Sequence, residues 1–217
     1  MTDPVIAPLG DAALTVSLGD GIDEALSRSV VMNAQAISGA AIMGVTDVVP
    51  AYASLAVFYD PVIIGYDDVR QRVLAALAAP DAGPLSGGEG SVIHRIPVVY
   101  DGEDLDDVAR RTGFSRNEVI AMHSAIEYRV FVTGFIPGFA YLGILDERLS
   151  VPRREVPRRR VPPGSVAIAE RQTGVYPAAS PGGWHLIGTT SVTMFDPMRD
   201  RPALLSVGDR VRFEPLE

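Results

Sequence analysis

Two arginines stand directly after prolines, in Pro152-Arg153 and Pro157-Arg158. Proline fixes its own φ, so each guanidinium leaves the chain from a pre-set backbone position. The planar fork of arginine matches a carboxylate or phosphate through two hydrogen bonds. Six arginines and one glutamate, Glu155, fall between Arg148 and Arg160. Two readings follow: an anion clamp built from Arg153 and Arg158, or a solvated basic surface pairing with local acids. The paired Pro-Arg steps favour the clamp.

His123 lies four residues after Val119 and three after Ile120, on the buried side of a helix. It reads as a core histidine bonded to a neighbouring backbone group, or as a ligand contact or proton carrier oriented by Glu127. His185 follows Trp184 nearer the loop-rich region, and His94 opens a strand. Three histidines so far apart form no metal signature, and no metal site is expected. Between Gly134 and Gly143 the chain reads GFIPGFAYLG. Pro137-Gly138 suits a type II turn, which needs positive φ at the glycine. Such a turn throws Phe135, Phe139 and Tyr141 to one side, as a pocket wall or as a hydrophobic corner. Farther on, Gly182-Gly183-Trp184 lets the backbone run beside something bulky and presents successive amide donors.

The chemistry open to the chain is narrowed by what it lacks. All 19 basic residues are arginine and there is no cysteine. That excludes a Schiff-base lysine, a phosphate-loop lysine, a biotin-acceptor lysine, a thiol nucleophile and any thiolate-bound metal. Residues 1–90 carry 11 acids against 3 arginines, whereas residues 91–217 carry 16 of each. A neutral second half with one arginine cluster fits a local anion contact better than nucleic acid. No apolar run approaches the roughly 20 residues of a membrane span, and Met1 to Pro4 does not read as a secretory start. The expected location is the cytoplasm.

These side chains need elements to hold them. Ala12 to Leu18 alternates like a half-buried strand; Ile22, Leu26, Val30, Asn33 and Ile37 recur at helical spacing, with Gly39 as the stop. Val45 to Val49 and Ser54 to Tyr59 read as strands, with Pro50 in their connection. Asp67 and Asp68 open a helix along Val69, Val73, Leu74 and Leu77 that Pro80 ends. This order suggests an α+β N-terminal domain of ferredoxin-like type over residues 1–83, with room for one further strand. Residues 84–91 fall in a Gly/Pro-rich linker, and 92–217 form a mainly β domain. There, Val92 to Tyr100 reads as a strand, Leu105 to Arg111 as a helix closed by Gly113, and Ser115 to Glu118 as a capping box leading to Ile126. Short β-like runs follow at Arg129 to Thr133, Ser165 to Ala169, His185 to Ile187, Val192 to Phe195 and Arg210 to Phe213. Strands of that length with Gly/Pro punctuation indicate a barrel or sandwich.

The motifs GFIPGFAYLG, VPRREVPR, VPPGSVAIA, QTGVYP and SPGGWHLIG, in that order, resemble one family. It comprises the B-type subunit of the ATP-dependent 5-oxoprolinase, the sporulation kinase inhibitor Kip and subunit 1 of allophanate hydrolase. The C/D half of the urea carboxylase carboxyltransferase domain is similar. The resemblance implies a cyclophilin-like β-barrel after the ferredoxin-like domain. It also implies a carboxyltransferase-like sister subunit of the 5-oxoprolinase C type, an A-type subunit, and ATP bound by or with those partners. The expected activity is opening of 5-oxoproline to glutamate; the alternatives are inhibition of a sensor histidine kinase and an allophanate hydrolase or urea carboxylase role. Family motif positions here include His123 as a candidate catalytic residue and Arg153, Arg158, Tyr141, Gln172 and Tyr176 as candidate substrate contacts. Phe135, Pro137, Gly138, Phe139, Gly182, Gly183 and Trp184 form the candidate partner or pocket loops. The chain departs from the family at Glu170-Arg171, at Thr189 and at Ile144, which bears on the substrate rather than the fold.

Overall fold

In the computed structural model, which describes residues 4–79 and 93–216, the chain divides into two units, Met1–Ser91 and Val92–Glu217. The linker expected at 84–91 lies outside the described residues, as does Pro80.

In the first unit, β1 (Val5–Pro8) and β2 (Ala13–Ser17) pair antiparallel before α1 (Glu24–Gly39). Asp23 caps α1, its carboxylate accepting the Leu26 N–H at 2.8 Å. The buried seam is Ser27, Val30, Ala34 and Ile37, while Ile22 precedes the helix and is exposed. β3 (Val45–Pro50) and β4 (Ser54–Tyr59) follow, then α2 (Tyr66–Ala78), whose first turn carries Asp67 and Asp68. Pro50 ends β3, an edge strand that tolerates its missing donor. Leu14, Val16, Leu55 and Val57 from the strands and Val30, Ile37, Val69 and Val73 from the helices share one core. The strand order is β1-β2-β4-β3. A ferredoxin-like β-α-β-β-α-β chain would place a strand from after α2 beside β2; here β1, which comes first, takes that place. The extra strand exists, but its origin departs from the expected topology.

The second unit begins with β5 (Ile93–Val98) and two helices, α3 (Leu105–Thr112) and α4 (Arg116–Ser124). Gly113, at φ 78°, stops α3 in the left-handed conformation. Ser115 and Glu118 form the reciprocal capping box that opens α4. Then come β6 (Glu127–Thr133), β7 (Ala140–Gly143), a 3-10 turn at Glu147–Leu149, β8 (Arg158–Val161), β9 (Ser165–Ala169), β10 (Gln172–Val175), β11 (Ser180–Gly182), β12 (His185–Thr189) and β13 (Arg210–Pro215). Seven of these strands make one sheet in the order β12-β9-β10-β7-β6-β13-β5. Val99 and Thr189 exchange two backbone hydrogen bonds, at 2.9 and 2.8 Å, joining the two ends of that sheet. The unit is thus a mostly β, nearly closed barrel-like sheet with two helices packed on it. β8 and β11 form a separate two-stranded ribbon. Val192 to Phe195 is no strand; only Phe195 pairs, with Ala203. Ile96, Val98, Val130, Leu142, Ile168, Ile187 and Phe213 fill the interior against Leu105, Val108 and Val119. No helix among the described residues is long and apolar enough to cross a membrane.

Candidate functional site

The aromatic loop forms as its Pro-Gly pair dictates. Phe139 N–H donates to the Ile136 carbonyl at 3.1 Å across Pro137-Gly138, with Gly138 at φ 83°. A Cβ on Gly138 would stand 2.5 Å from the Phe195 Cβ, so the turn fits only with glycine there. Phe135 itself adopts φ 73°, a left-handed conformation that a bulky residue rarely enters, and is 59% exposed. The depression beside this turn is shallow and lined by Thr133 to Gly138 and Ala203. Arg153, Tyr141 and Tyr176 do not line it.

Phe139 is the hub of a ring cluster. Its centroid lies 4.9 Å from Tyr141, 5.3 Å from Tyr176, 5.6 Å from Trp184 and 5.7 Å from Phe135, all edge to face. Such pairs are worth about 0.5–1.5 kcal/mol each beyond area burial. Phe139, Tyr176 and Trp184 are buried together with Val161, Ala167, Ala169 and Leu186. Three of the residues read as pocket or loop contacts are therefore a small second core, because their rings seal against one another; Tyr141 alone of the deep rings stays half-buried. Gly182 serves this packing sterically: a Cβ there would collide with the Tyr176 hydroxyl. Gly183 is less crowded, and its carbonyl accepts the Arg154 N–H at 2.8 Å. Burial raises the Tyr176 hydroxyl above its usual value, the Trp184 backbone pulling the other way. Gln172, expected as a substrate contact, is buried on β10 at 6% exposure.

The arginines separate into different roles. Arg158 donates through Nε to Glu103 at 2.7 Å and through Nη2 to Asp104 at 2.8 Å. Burial would lower its pKa, but the Asp104 and Glu103 contacts outweigh that and raise it. Its fork is occupied by Glu103 and Asp104, which fits an internal ion pair better than the expected clamp on an external anion. Arg154 donates to the same Asp104 oxygen at 2.7 Å. Arg153 is exposed and makes no hydrogen bond or ion pair with a described residue, and its charge is felt at the Tyr176 hydroxyl. Of the Pro-Arg pair, only Arg153 keeps a free fork.

His123 is wholly buried and fully bonded. Thr173 Oγ1 donates its proton to the Ala167 carbonyl at 3.0 Å, so its oxygen accepts the His123 Nε2–H at 2.9 Å. Nδ1, left unprotonated, accepts the Tyr100 hydroxyl at 2.7 Å. The ring stacks on Phe213 at 4.7 Å, and the Tyr128 hydroxyl donates to the His123 carbonyl. Desolvation depresses its pKa to about 3 and holds the imidazole neutral. A ring with both nitrogens engaged in a dry interior fits the core reading of His123 better than the catalytic one. Glu127 does not orient it; that carboxylate faces Arg210 at 3.8 Å.

Asp104, 4% exposed, is a site residue to which the sequence gives no pointer. Its Oδ1 accepts from Arg154 and Arg158, and its Oδ2 accepts the Leu186 N–H at 2.7 Å. His185 stands out in the sequence only as a neighbour of Trp184; its Nε2 donates to the Pro152 carbonyl at 2.9 Å. Nothing local marks Asp104, since its partners stand 50, 54 and 82 residues away. Among the described residues no three His, Asp or Glu side chains gather as a metal site.

A family model described as "Carboxyltransferase domain, subdomain C and D" matches residues 4–205. The chain is 38% identical to the B-type subunit of 5-oxoprolinase from Bacillus subtilis (strain 168), over 96% of this chain and 91% of that protein. It is 57% identical over 123 residues to the corresponding 5-oxoprolinase subunit of Escherichia coli O157:H7, a match covering 55% of this chain and 56% of that protein. Among solved structures, TTHA0988 superposes with a TM-score of 0.84 at 40% identity, over 94% of this chain. This chain spans only 40% of the length of that one. Kluyveromyces lactis urea carboxylase superposes at 0.76 with 20% identity, over 99% of this chain and 22% of that one, which shows a shared fold alone. The order of motifs, the fold and the match over most of the chain agree: the protein belongs to the carboxyltransferase-domain family, subdomains C and D.

Proposed function

We propose that this chain is the B-type subunit of an ATP-dependent 5-oxoprolinase, opening 5-oxoproline to glutamate together with a carboxyltransferase-like sister of the C type and an A-type subunit. The observation that carries the reading is the collinear 38% identity to a B-type 5-oxoprolinase subunit over nearly the full length of both chains. The geometry of the second unit fits it. Arg153 offers a free guanidinium to the carboxylate of the substrate, with Tyr141 the partly open ring nearest the packed aromatic wall. The cyclophilin-like barrel supplies one face of a site that the sister subunit completes. ATP is handled by or with the partners, since this chain has no lysine to bridge its phosphates.

The exposed, left-handed Phe135 favours a second reading, a regulatory module that docks on the helical domain of a sensor histidine kinase. One experiment separates the two. The chain is purified alone and with its sister subunits, and 5-oxoproline-dependent ATP hydrolysis is measured. Activity that requires all subunits supports the enzyme; a complex without such activity, while the chain alone blocks kinase autophosphorylation, replaces it with the regulator.

A further inference from the structure

The backbone on either side of Arg153 is pinned. Ahead of it, the Pro152 carbonyl accepts the His185 Nε2–H at 2.9 Å. Behind it, Arg154 donates its N–H to the Gly183 carbonyl at 2.8 Å and its guanidinium to Asp104 at 2.7 Å. Asp104 is in turn fixed by Arg158 and by the Leu186 N–H, which belong to β8 and β12. His185 is 2% exposed, and the one described hydrogen bond of its ring is the one to this loop. Its Nδ1 has no hydrogen-bond partner among the described residues and faces Asp107 at 3.9 Å. Two buried polar side chains thus converge on a single exposed loop, and the residue between their attachment points is Arg153, whose guanidinium has no partner among the described residues.

We propose that Asp104 and His185 are positioning residues for Arg153, fixing the backbone from which its guanidinium reaches a carboxylate and so setting the preference for an acid over its neutral amide. This inference deepens the reading given under Proposed function and rests on it. A receptor arm fixed before binding does not lose backbone freedom when the ligand arrives, whereas a freed arm does. The cost of re-ordering one residue corresponds to roughly tenfold in affinity.

The test uses the complex reconstituted with its sister subunits and compares kcat/KM for 5-oxoproline with that for 5-oxoprolinamide. Arg153→Ala should lower the acid-to-amide ratio about 100-fold, the strength of a charge-assisted hydrogen bond. Asp104→Asn and His185→Leu should lower it about tenfold, chiefly through KM. His185→Gln, which keeps an N–H donor for the Pro152 carbonyl, should stay within about twofold of the wild-type ratio. A ratio that falls in Arg153→Ala but not in Asp104→Asn and His185→Leu overturns the positioning role and leaves the carboxylate reading intact. A ratio untouched by Arg153→Ala overturns the carboxylate reading, and the positioning role with it. If Asp104→Asn does not fold, the His185 pair decides alone, because leucine and glutamine both approximate the volume of the imidazole.

Discussion

Acidification should weaken the second unit through His123. In the folded chain this imidazole takes a proton only near pH 3, whereas its ordinary value is 6.5. Between those values the unfolded chain binds a proton that the folded one refuses, so stability falls as pH falls and is fully restored above pH 6.5. At pH 5 the unfolded histidine is almost entirely charged, and the loss relative to pH 7 is about 2 kcal/mol from this one residue. For a domain of this size that is roughly 8 °C in Tm. The assay is thermal or urea denaturation at pH 7, 6 and 5, for the wild type and for His123→Gln. At pH 7 the variant is less stable by about 1–3 kcal/mol, because Tyr100 and Thr173 lose well-placed partners, and by pH 5 most of that deficit closes. Its slope against pH, however, should be shallower by that same 2 kcal/mol over the two units. Nitrogen NMR should show the neutral, Nε2-protonated tautomer persisting at pH 5. Equal slopes for the two proteins, or a His123 ring titrating near 6.5, would refute the reasoning.

Three further outcomes follow from the backbone and the ring cluster. Glu170, exposed at φ 53° in the turn between β9 and β10, carries left-handed strain, so Glu170→Gly should stabilise by about 0.5–1 kcal/mol in urea denaturation, the relief exceeding the added chain entropy. Gly182→Ala should destabilise by about 1–3 kcal/mol and perturb tryptophan fluorescence, because its Cβ would collide with a Tyr176 ring that the cluster holds in place. Phe135→Asn should leave Tm unchanged or raise it by up to about 1 kcal/mol equivalent, since asparagine enters the left-handed region more readily. If Phe135 is a docking anchor, the same variant should weaken partner capture at least tenfold in a binding titration.

The parts of the fold legible in the sequence are those specified within a dozen residues. Ser54 to Tyr59 and Ser165 to Ala169 emerge as strands with the expected ends. The Ser115–Glu118 box and the Asp67-Asp68 start mark helices because caps and first-turn charges act locally. The illegible parts are set by distant pairing. β7, β8, β10 and β11 have three or four residues each and contain or adjoin glycine or proline, so their extended state depends on partners found elsewhere in the chain. The site divides in the same way. The type II turn at Pro137-Gly138 and the core placement of His123 follow from spacing, although spacing also allows His123 a ligand role. The fate of Arg158 does not follow, because Pro157-Arg158 looks the same whether its fork meets solvent or a buried carboxylate 54 residues away.

The position of β13 in the sheet bears on how the second unit comes to exist during synthesis. It lies between β6, which it meets antiparallel, and β5, which it meets in parallel, although β5 precedes it by more than a hundred residues. Until residues 210–215 leave the ribosome, β5 has no neighbour along its length and β6 presents a bare rim. Nascent chains stalled before that point should therefore be captured by chaperones or proteases, while the first unit, whose described strands pair with one another, is already folded.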